Sequence, residues 1–168
     1  MRIYLLGFSG CGKSTLAKKL AKQLNMPYLD LDTCFEHEVG TSIVSFFQQY
    51  GEEAFRKKES ELLQKTAQIE HCVISLGGGT PCYNDNMQWI KAHGWSVYIV
   101  MNAKALFDRV KNHVDKRPLL AGAENLQACI RQKLCDREPY YMQADMQVQG
   151  VNINVKQLAQ EIKEKGGF

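Results

Sequence analysis

A chain of 168 residues, 45% apolar and 23% charged, has the length and balance of one soluble globular domain with a real core rather than of a disordered segment. A net charge of +3 is too small to argue for nucleic acid, although it suits anionic small substrates. No apolar run approaches the roughly 18 residues of a membrane span. The apolar stretch at the N-terminus is too short for an export signal, so a cytoplasmic protein is expected.

Taken in chain order, Arg2 to Leu6 reads as a short buried strand, with Ile3, Tyr4, Leu5 and Leu6 in a continuous apolar run. The glycine-rich stretch Gly7-Phe8-Ser9-Gly10-Cys11-Gly12-Lys13-Ser14 follows it. Leu16, Leu20 and Leu24 then recur every four residues, with Lys18, Lys19 and Lys22 mostly facing away, which predicts an amphipathic helix ended by Pro27. Tyr28-Leu29-Asp30 reads as a short second strand, and residues 33 to 69 as helical stretches broken near Gly40 and Gly51. Residues 72 to 76 and 95 to 101 are the third and fourth strands. Residues 103 to 111 are helical, 112 to 122 a polar loop, and 126 to 142 a helix bent or ended by Pro139. A fifth strand at 146 to 149 and a helix at 155 to 165 close the chain. Strands alternating with helices predict a parallel sheet covered on both faces.

The motif G-x-x-x-x-G-K-S lies between a strand and a helix, the setting in which it binds nucleotide phosphate. Its glycines let backbone N–H groups turn onto phosphate oxygens at a helix N-terminus. Lys13 supplies a cation between the β- and γ-phosphates, and Ser14 a hydroxyl for Mg²⁺. Gly10, Cys11, Gly12 and Thr15 complete the expected ATP-binding set, with Arg117 from the distant loop. The motif says nothing of the acceptor.

Asp30 and Asp32 form a D-x-D at the end of the second strand, where strand alternation would put both carboxylates on one side. One can serve Mg²⁺ and the other a substrate hydroxyl; alternatively Asp32 is the N-cap of the next helix. Arg56 and Glu59 share a helix face, as a surface ion pair or as a carboxylate-binding arginine with its orienting acid. Gly77, Gly78 and Gly79 end the third strand, where bare backbone admits close approach of a ligand or simply a tight turn. Arg117 sits beside Pro118 in the polar loop, either to close over nucleotide or as part of a solvated basic segment that also contains Lys116. Spacing alone does not choose between these, and Arg137, near a helix end, is equally open.

Six cysteines, at positions 11, 34, 72, 82, 129 and 135, make no C-x-x-C pair and are expected to be free thiols. Cys11 stands out because loop N–H groups and Lys13 would make its thiol more acidic, although a small side chain that merely fits the loop is the simpler reading.

Together and in this order, the phosphate loop, D-x-D, Gly51-Glu52-xx-Phe55-Arg56-xx-Glu59, G-G-G, Arg117-Pro118-Leu119-Leu120, and Arg137 ahead of a tyrosine and Ala144-Asp145 resemble shikimate kinase over nearly the whole chain. The resemblance implies a P-loop NTPase three-layer α/β sandwich of the nucleoside-monophosphate-kinase-like kind, with a five-stranded parallel sheet ordered 2-3-1-4-5. It implies one domain, residues 1–168, with a substrate-binding region at about 32–60 and a lid at about 112–123. The activity implied is transfer of the ATP γ-phosphoryl group to the 3-hydroxyl of shikimate, in aromatic amino-acid biosynthesis. Carried over by motif, Lys13, Asp32 and Arg117 are catalytic, with Asp32 the candidate base. Asp32, Arg56, Gly78, Gly79 and Arg137 hold shikimate, the two arginines at its carboxylate. Ser14 and Asp30 serve Mg²⁺, Glu59 orients Arg56, and Phe47 and Phe55 line the pocket. The spacing from Arg109 to Arg117 departs from the family pattern, so no adenine contact is assigned to Arg109, and that from Arg137 to Ala144 departs too, so none is assigned to residues 149 to 154. ATP and shikimate are the expected partners, with neither nucleic acid nor membrane, and a monomer is the default.

Overall fold

The computed structural model describes residues 1–114 and 117–167. Five parallel strands, β1 (Arg2–Leu6), β2 (Tyr28–Asp30), β3 (Cys72–Ser75), β4 (Trp95–Val100) and β5 (Met146–Gln149), form one sheet in the order β2-β3-β1-β4-β5. The order is the expected one. Neighbouring strands that are distant in sequence require crossovers, and helices supply them.

Side-chain parity divides the core. Ile3, Leu5, Val73, Val97 and Ile99 face one side, where they pack with α1 (Lys13–Leu24), α5 (Ala103–Val110) and α7 (Val155–Gly166). Tyr4, Leu6, Cys72, Ile74 and Tyr98 face the other, against α2 (Leu31–Val39), α3 (Ile43–Lys65) and α4 (Asn86–His93). α6 (Leu126–Tyr141) gives Ile130 to the first cluster and Tyr141 to the second. Strands buried on both faces cannot alternate apolar with polar residues, which is why β1 is a continuous apolar run.

The two breaks expected near glycines are present. Gly40 caps α2 in a left-handed conformation, and Gly51, non-helical at φ 80° and ψ 176°, kinks α3 into two helical segments. Pro139 does not end α6, which runs on to Tyr141, although a proline inside a helix supplies no N–H and crowds the carbonyl four residues before it. α4 has no counterpart among the expected elements. It has eight residues, and its buried face is limited to Asn86, Met87 and Ile90, too few to show a helical period. Among the described residues no helix is long and apolar enough to cross a membrane.

Candidate active site

The phosphate loop joins β1 to α1. Gly10 and Gly12 take φ of 88° and 101°, a region L side chains rarely enter, so the turn needs glycine at both. α1 starts on Gly12 with no side-chain cap, so its first-turn N–H groups remain for a ligand. Lys13 is buried and folds its ammonium back onto the carbonyls of Gly7 and Phe8, at 2.9 and 3.0 Å. Thr15 and Ser14 sit exposed in the same first turn. Cys11 fits the simpler of its two readings: the residue is only 2% exposed and packs into the core. All six cysteines are free.

Beside the loop lies a cluster of oxygens. Ser14 Oγ donates to Asp30 Oδ2 at 2.6 Å, Tyr28 Oη donates to the same oxygen at 3.0 Å, and Ser75 Oγ is 3.3 Å from Ser14 Oγ. Asp30 also caps α2, accepting from the Thr33 N–H at 3.2 Å. The N-cap is therefore Asp30 and not Asp32. Asp32 sits in the first turn of α2, so helix geometry, rather than strand alternation, brings the two acids to one place. Tyr28 and Ser75 were not singled out in the sequence. Ser75 ends β3, where many phosphate-loop proteins carry an acid, and a hydroxyl there gives no pattern to read.

A cleft of about 550 Å³ opens next to the loop and is lined by Phe8, Ser9, Asp32, Arg56, the glycine triplet and Arg137, with Phe47 and Phe55 on its wall. Such a volume suits one small molecule. Solvent reaches Asp32 through the open mouth, yet the carboxylate is crowded by protein on its other sides. That crowding, then the charges of Glu59 and Asp30, push its pKa up to about 6, against the opposing pull of Lys13.

Arg56 is 5% exposed and fully engaged on its protein side. Nη1 donates to Glu59 Oε2 at 2.7 Å, and Nε and Nη2 donate to Glu52 Oε1 at 3.3 Å. Burial would pull its pKa down, but the touching Glu59 carboxylate outweighs this, with Tyr83 and Glu52 adding to it, and the guanidinium ends up more basic than usual. Glu59 Oε1 also accepts from Thr80 Oγ1 at 2.6 Å. The expected surface ion pair is thus a buried one, and Glu52 belongs to it. The glycine triplet leaves room for this arrangement. A Cβ on Gly77 would lie 2.6 Å from Glu59 Oε1 and 2.9 Å from Asp32 Oδ1, and one on Gly79 would lie 2.8 Å from the Arg56 Cζ.

Arg137 is 8% exposed, with its guanidinium carbon 5.2 Å from the Phe8 ring centre and its Nη1 near Gly78. One turn on, the Tyr141 hydroxyl donates to the Gly78 carbonyl, joining α6 to the triplet. Arg117 reaches back to the phosphate loop: Nε donates to Ser9 Oγ at 2.9 Å and Nη1 to the His113 carbonyl at 2.7 Å. Its neighbours Pro118, Leu119 and Leu120 line the cleft. Lys116 lies outside the described residues. Arg109, to which no role was assigned, donates to the carbonyls of Cys11 at 3.1 Å and Gly150 at 3.4 Å, on the rim of the phosphate loop.

The geometry therefore joins an anion cradle, an oxygen cluster and a two-arginine cleft along one edge of the sheet. The profile of the family "Shikimate kinase" matches residues 9–166. The chain belongs to the shikimate kinase family. A family member from Flavobacterium johnsoniae is 39% identical over 165 residues, 96% of each chain. The crystal structure of shikimate kinase from Bacteroides thetaiotaomicron superposes with a TM-score of 0.88 at 34% identity, over 100% of this chain and 99% of that one. The shikimate kinase of Acinetobacter baumannii, solved in complex with shikimate, also gives 0.88, at 30% identity, over 97% and 90% of the two chains. A gluconokinase from Sinorhizobium meliloti shares only the fold, at 12% identity and a TM-score of 0.55.

Proposed function

We propose that this site transfers the γ-phosphoryl group of ATP to the 3-hydroxyl of shikimate. ATP-dependent phosphorylation of shikimate, toward the aromatic amino acids, is the activity of the family to which the chain belongs. The observation that carries the residue assignments is the convergence of Arg56, Arg137 and Asp32 around a bare glycine backbone, beside the phosphate loop. Glu59 takes one Nη1 hydrogen of Arg56, and Glu52 takes Nε and one Nη2 hydrogen. A guanidinium has five N–H donors, which leaves one on each Nη for a substrate carboxylate. Arg137 approaches the same cleft from α6 and completes the grip.

With the carboxylate held, Asp32 accepts a hydrogen bond, and then the proton, from the attacking hydroxyl. Its raised pKa brings it nearer the pH at which a base is effective. The transition state is loose, so placing the hydroxyl in line matters more than base strength. Lys13 leaves its two carbonyls for the phosphates, Gly10, Gly12, Lys13, Ser14 and Thr15 offer backbone N–H groups, Cys11 closes the loop through its N–H to the Phe8 carbonyl, and Arg117 follows the γ-phosphate. Gly78 and Gly79 present backbone to shikimate. Mg²⁺ fits the hard, all-oxygen set of Ser14 and Asp30, with Ser75 beside them; when bound it would neutralise phosphate charge, keeping most of its waters. Segment 112–123 works as the lid and 32–60 as the acceptor region of one domain. The enzyme acts in the cytoplasm as a monomer, without nucleic acid or membrane.

Phosphate transfer to shikimate, gluconate and nucleoside monophosphates, compared by coupled ADP release, tests this reading. Turnover with shikimate alone is expected. Absence of turnover with shikimate would sink it.

A further inference from the structure

We infer that Tyr83 is a positioning residue for the reaction: it fixes the plane of the Arg56 guanidinium, and so sets the affinity for the acceptor's carboxylate. The inference rests on the assignment of Arg56 to that carboxylate.

Tyr83 does not line the cleft. It stands behind Arg56, with its ring centre 4.3 Å from the guanidinium carbon, nearer than the 4.9 Å of Phe55. A cation over an aromatic face is held by the ring quadrupole, and a planar guanidinium also stacks on it. The same side chain acts a second time through its hydroxyl, which donates to Glu52 Oε1 at 3.2 Å. That is the oxygen that accepts from Arg56 Nε and Nη2. Glu52 is 39% exposed and would otherwise be a mobile partner. Tyr83 therefore holds the face of the guanidinium directly and one edge of it through Glu52, while Glu59 holds the other end.

The local chain is built to hold Tyr83 there. Thr80–Cys82 form a tight 3₁₀ turn after the glycine triplet, and Tyr83 is extended, with φ −128°. Asn84 and Asp85 then take φ of 50° and 56°, a left-handed pair that asparagine and aspartate tolerate better than most residues. The turn is tied to the same stretch of α3: Asn84 Nδ2 donates to the Arg56 carbonyl at 3.3 Å and to Ser60 Oγ at 3.0 Å. Asn86 Nδ2 donates to Ser60 Oγ at 3.0 Å and to the Thr80 carbonyl at 2.8 Å. Segment 80–86 thus clasps the backbone of Arg56 and sets the Tyr83 ring against its guanidinium at once. Two remaining donors can meet a carboxylate as a fork only if the plane carrying them is fixed.

The test measures KM and kcat for Tyr83→Leu and Tyr83→Phe, with shikimate and with its methyl ester, in which the carboxylate charge is gone. Tyr83→Leu is expected to raise the KM for shikimate about tenfold, a step of about 1.4 kcal/mol, while the KM for ATP and kcat stay within about threefold. Tyr83→Phe keeps the stacking face and loses only the Glu52 bond, so its rise should be about two- to threefold. With the methyl ester the difference between wild type and Tyr83→Leu should vanish. An equal loss with both acceptors, or a Tyr83→Phe enzyme as impaired as Tyr83→Leu, would overturn the inference. Should Tyr83→Leu not fold, Tyr83→Met takes its place with the same expectations. Arg56→Ala in the same assay separates the two claims. If it leaves the KM for shikimate unchanged, the carboxylate assignment itself is wrong; if it raises that KM and the tyrosine variants do not, only the role of Tyr83 is.

Discussion

The two halves of the cleft are made in different ways. The nucleotide half is built mainly on one contiguous segment, residues 7–15, whose ligand-binding groups are mostly backbone and whose one buried cation rests on its own loop carbonyls, with Arg117 reaching it from a distant loop. The acceptor half is assembled from α2, α3, the segment after β3 and α6, and its arginine is held by side-chain bonds to Glu52, Glu59 and Tyr83. A backbone cradle needs only a local conformation to exist. An assembled grip needs the whole fold, so the acceptor half should couple binding to stability where the nucleotide half does not.

Substitutions can break that contrast. Lys13→Met should lower turnover by about 10³-fold, because a cation at the transferring phosphate is lost, and should leave the unfolding midpoint nearly unchanged. Glu59→Ala should do the reverse in kind. It leaves a buried guanidinium short of its main partner and should cost about 3 kcal/mol in chemical denaturation. Equal destabilisation by the two variants would erase the distinction.

Asp32→Asn should lower kcat by about 10²-fold, toward the modest end for a base in a loose transition state. Its pH behaviour has a definite sign. With the pKa raised to about 6, kcat/KM for shikimate should fall as pH drops through that value, because the protonated acid cannot accept the hydroxyl proton. Between the ordinary carboxylate range near 4 and about 6, the folded protein keeps a proton that the unfolded chain has released. The contribution of this group to stability therefore declines as pH rises across that window. A kcat/KM that stays flat from pH 5 to 8 would remove Asp32 as the base. The smallest effect is expected at Cys11. A thiol-alkylating reagent should modify the exposed Cys135 in the native protein and spare buried Cys11, as mass mapping of the labelled cysteines would show.

The same contrast governs what could be read from the residues alone. Glycine, lysine and serine at fixed offsets are dictated by one local conformation, so the phosphate loop is legible without a fold. The parallel sheet followed from alternating elements, but its strand order came only from the family resemblance. Arg56, Glu59 and the glycine triplet were legible as motifs, but their meeting was not, since Thr80 and Gly77 touch Glu59 only after β3 has folded against α3. Glu52 and Tyr83 carried no separate signal, because an acid four residues before an arginine and a tyrosine in a loop are common. Asp30 took the capping role offered to Asp32 because α2 begins earlier than the expected boundary, and boundaries are where sequence patterns are weakest. Arg109 was given no role on spacing, yet a loop absorbs a change of length without moving the helix that precedes it.

Arg137 offers the most direct test of an assembled carboxylate grip, since it comes from a helix remote in sequence while Glu52 and Glu59 pair with Arg56. The measurement is the pair of Michaelis constants for Arg137→Ala. The account predicts a rise of about tenfold or more for shikimate, the scale of a lost charge-assisted bond, with the constant for ATP within about twofold. Unchanged KM for shikimate together with unchanged turnover would contradict it.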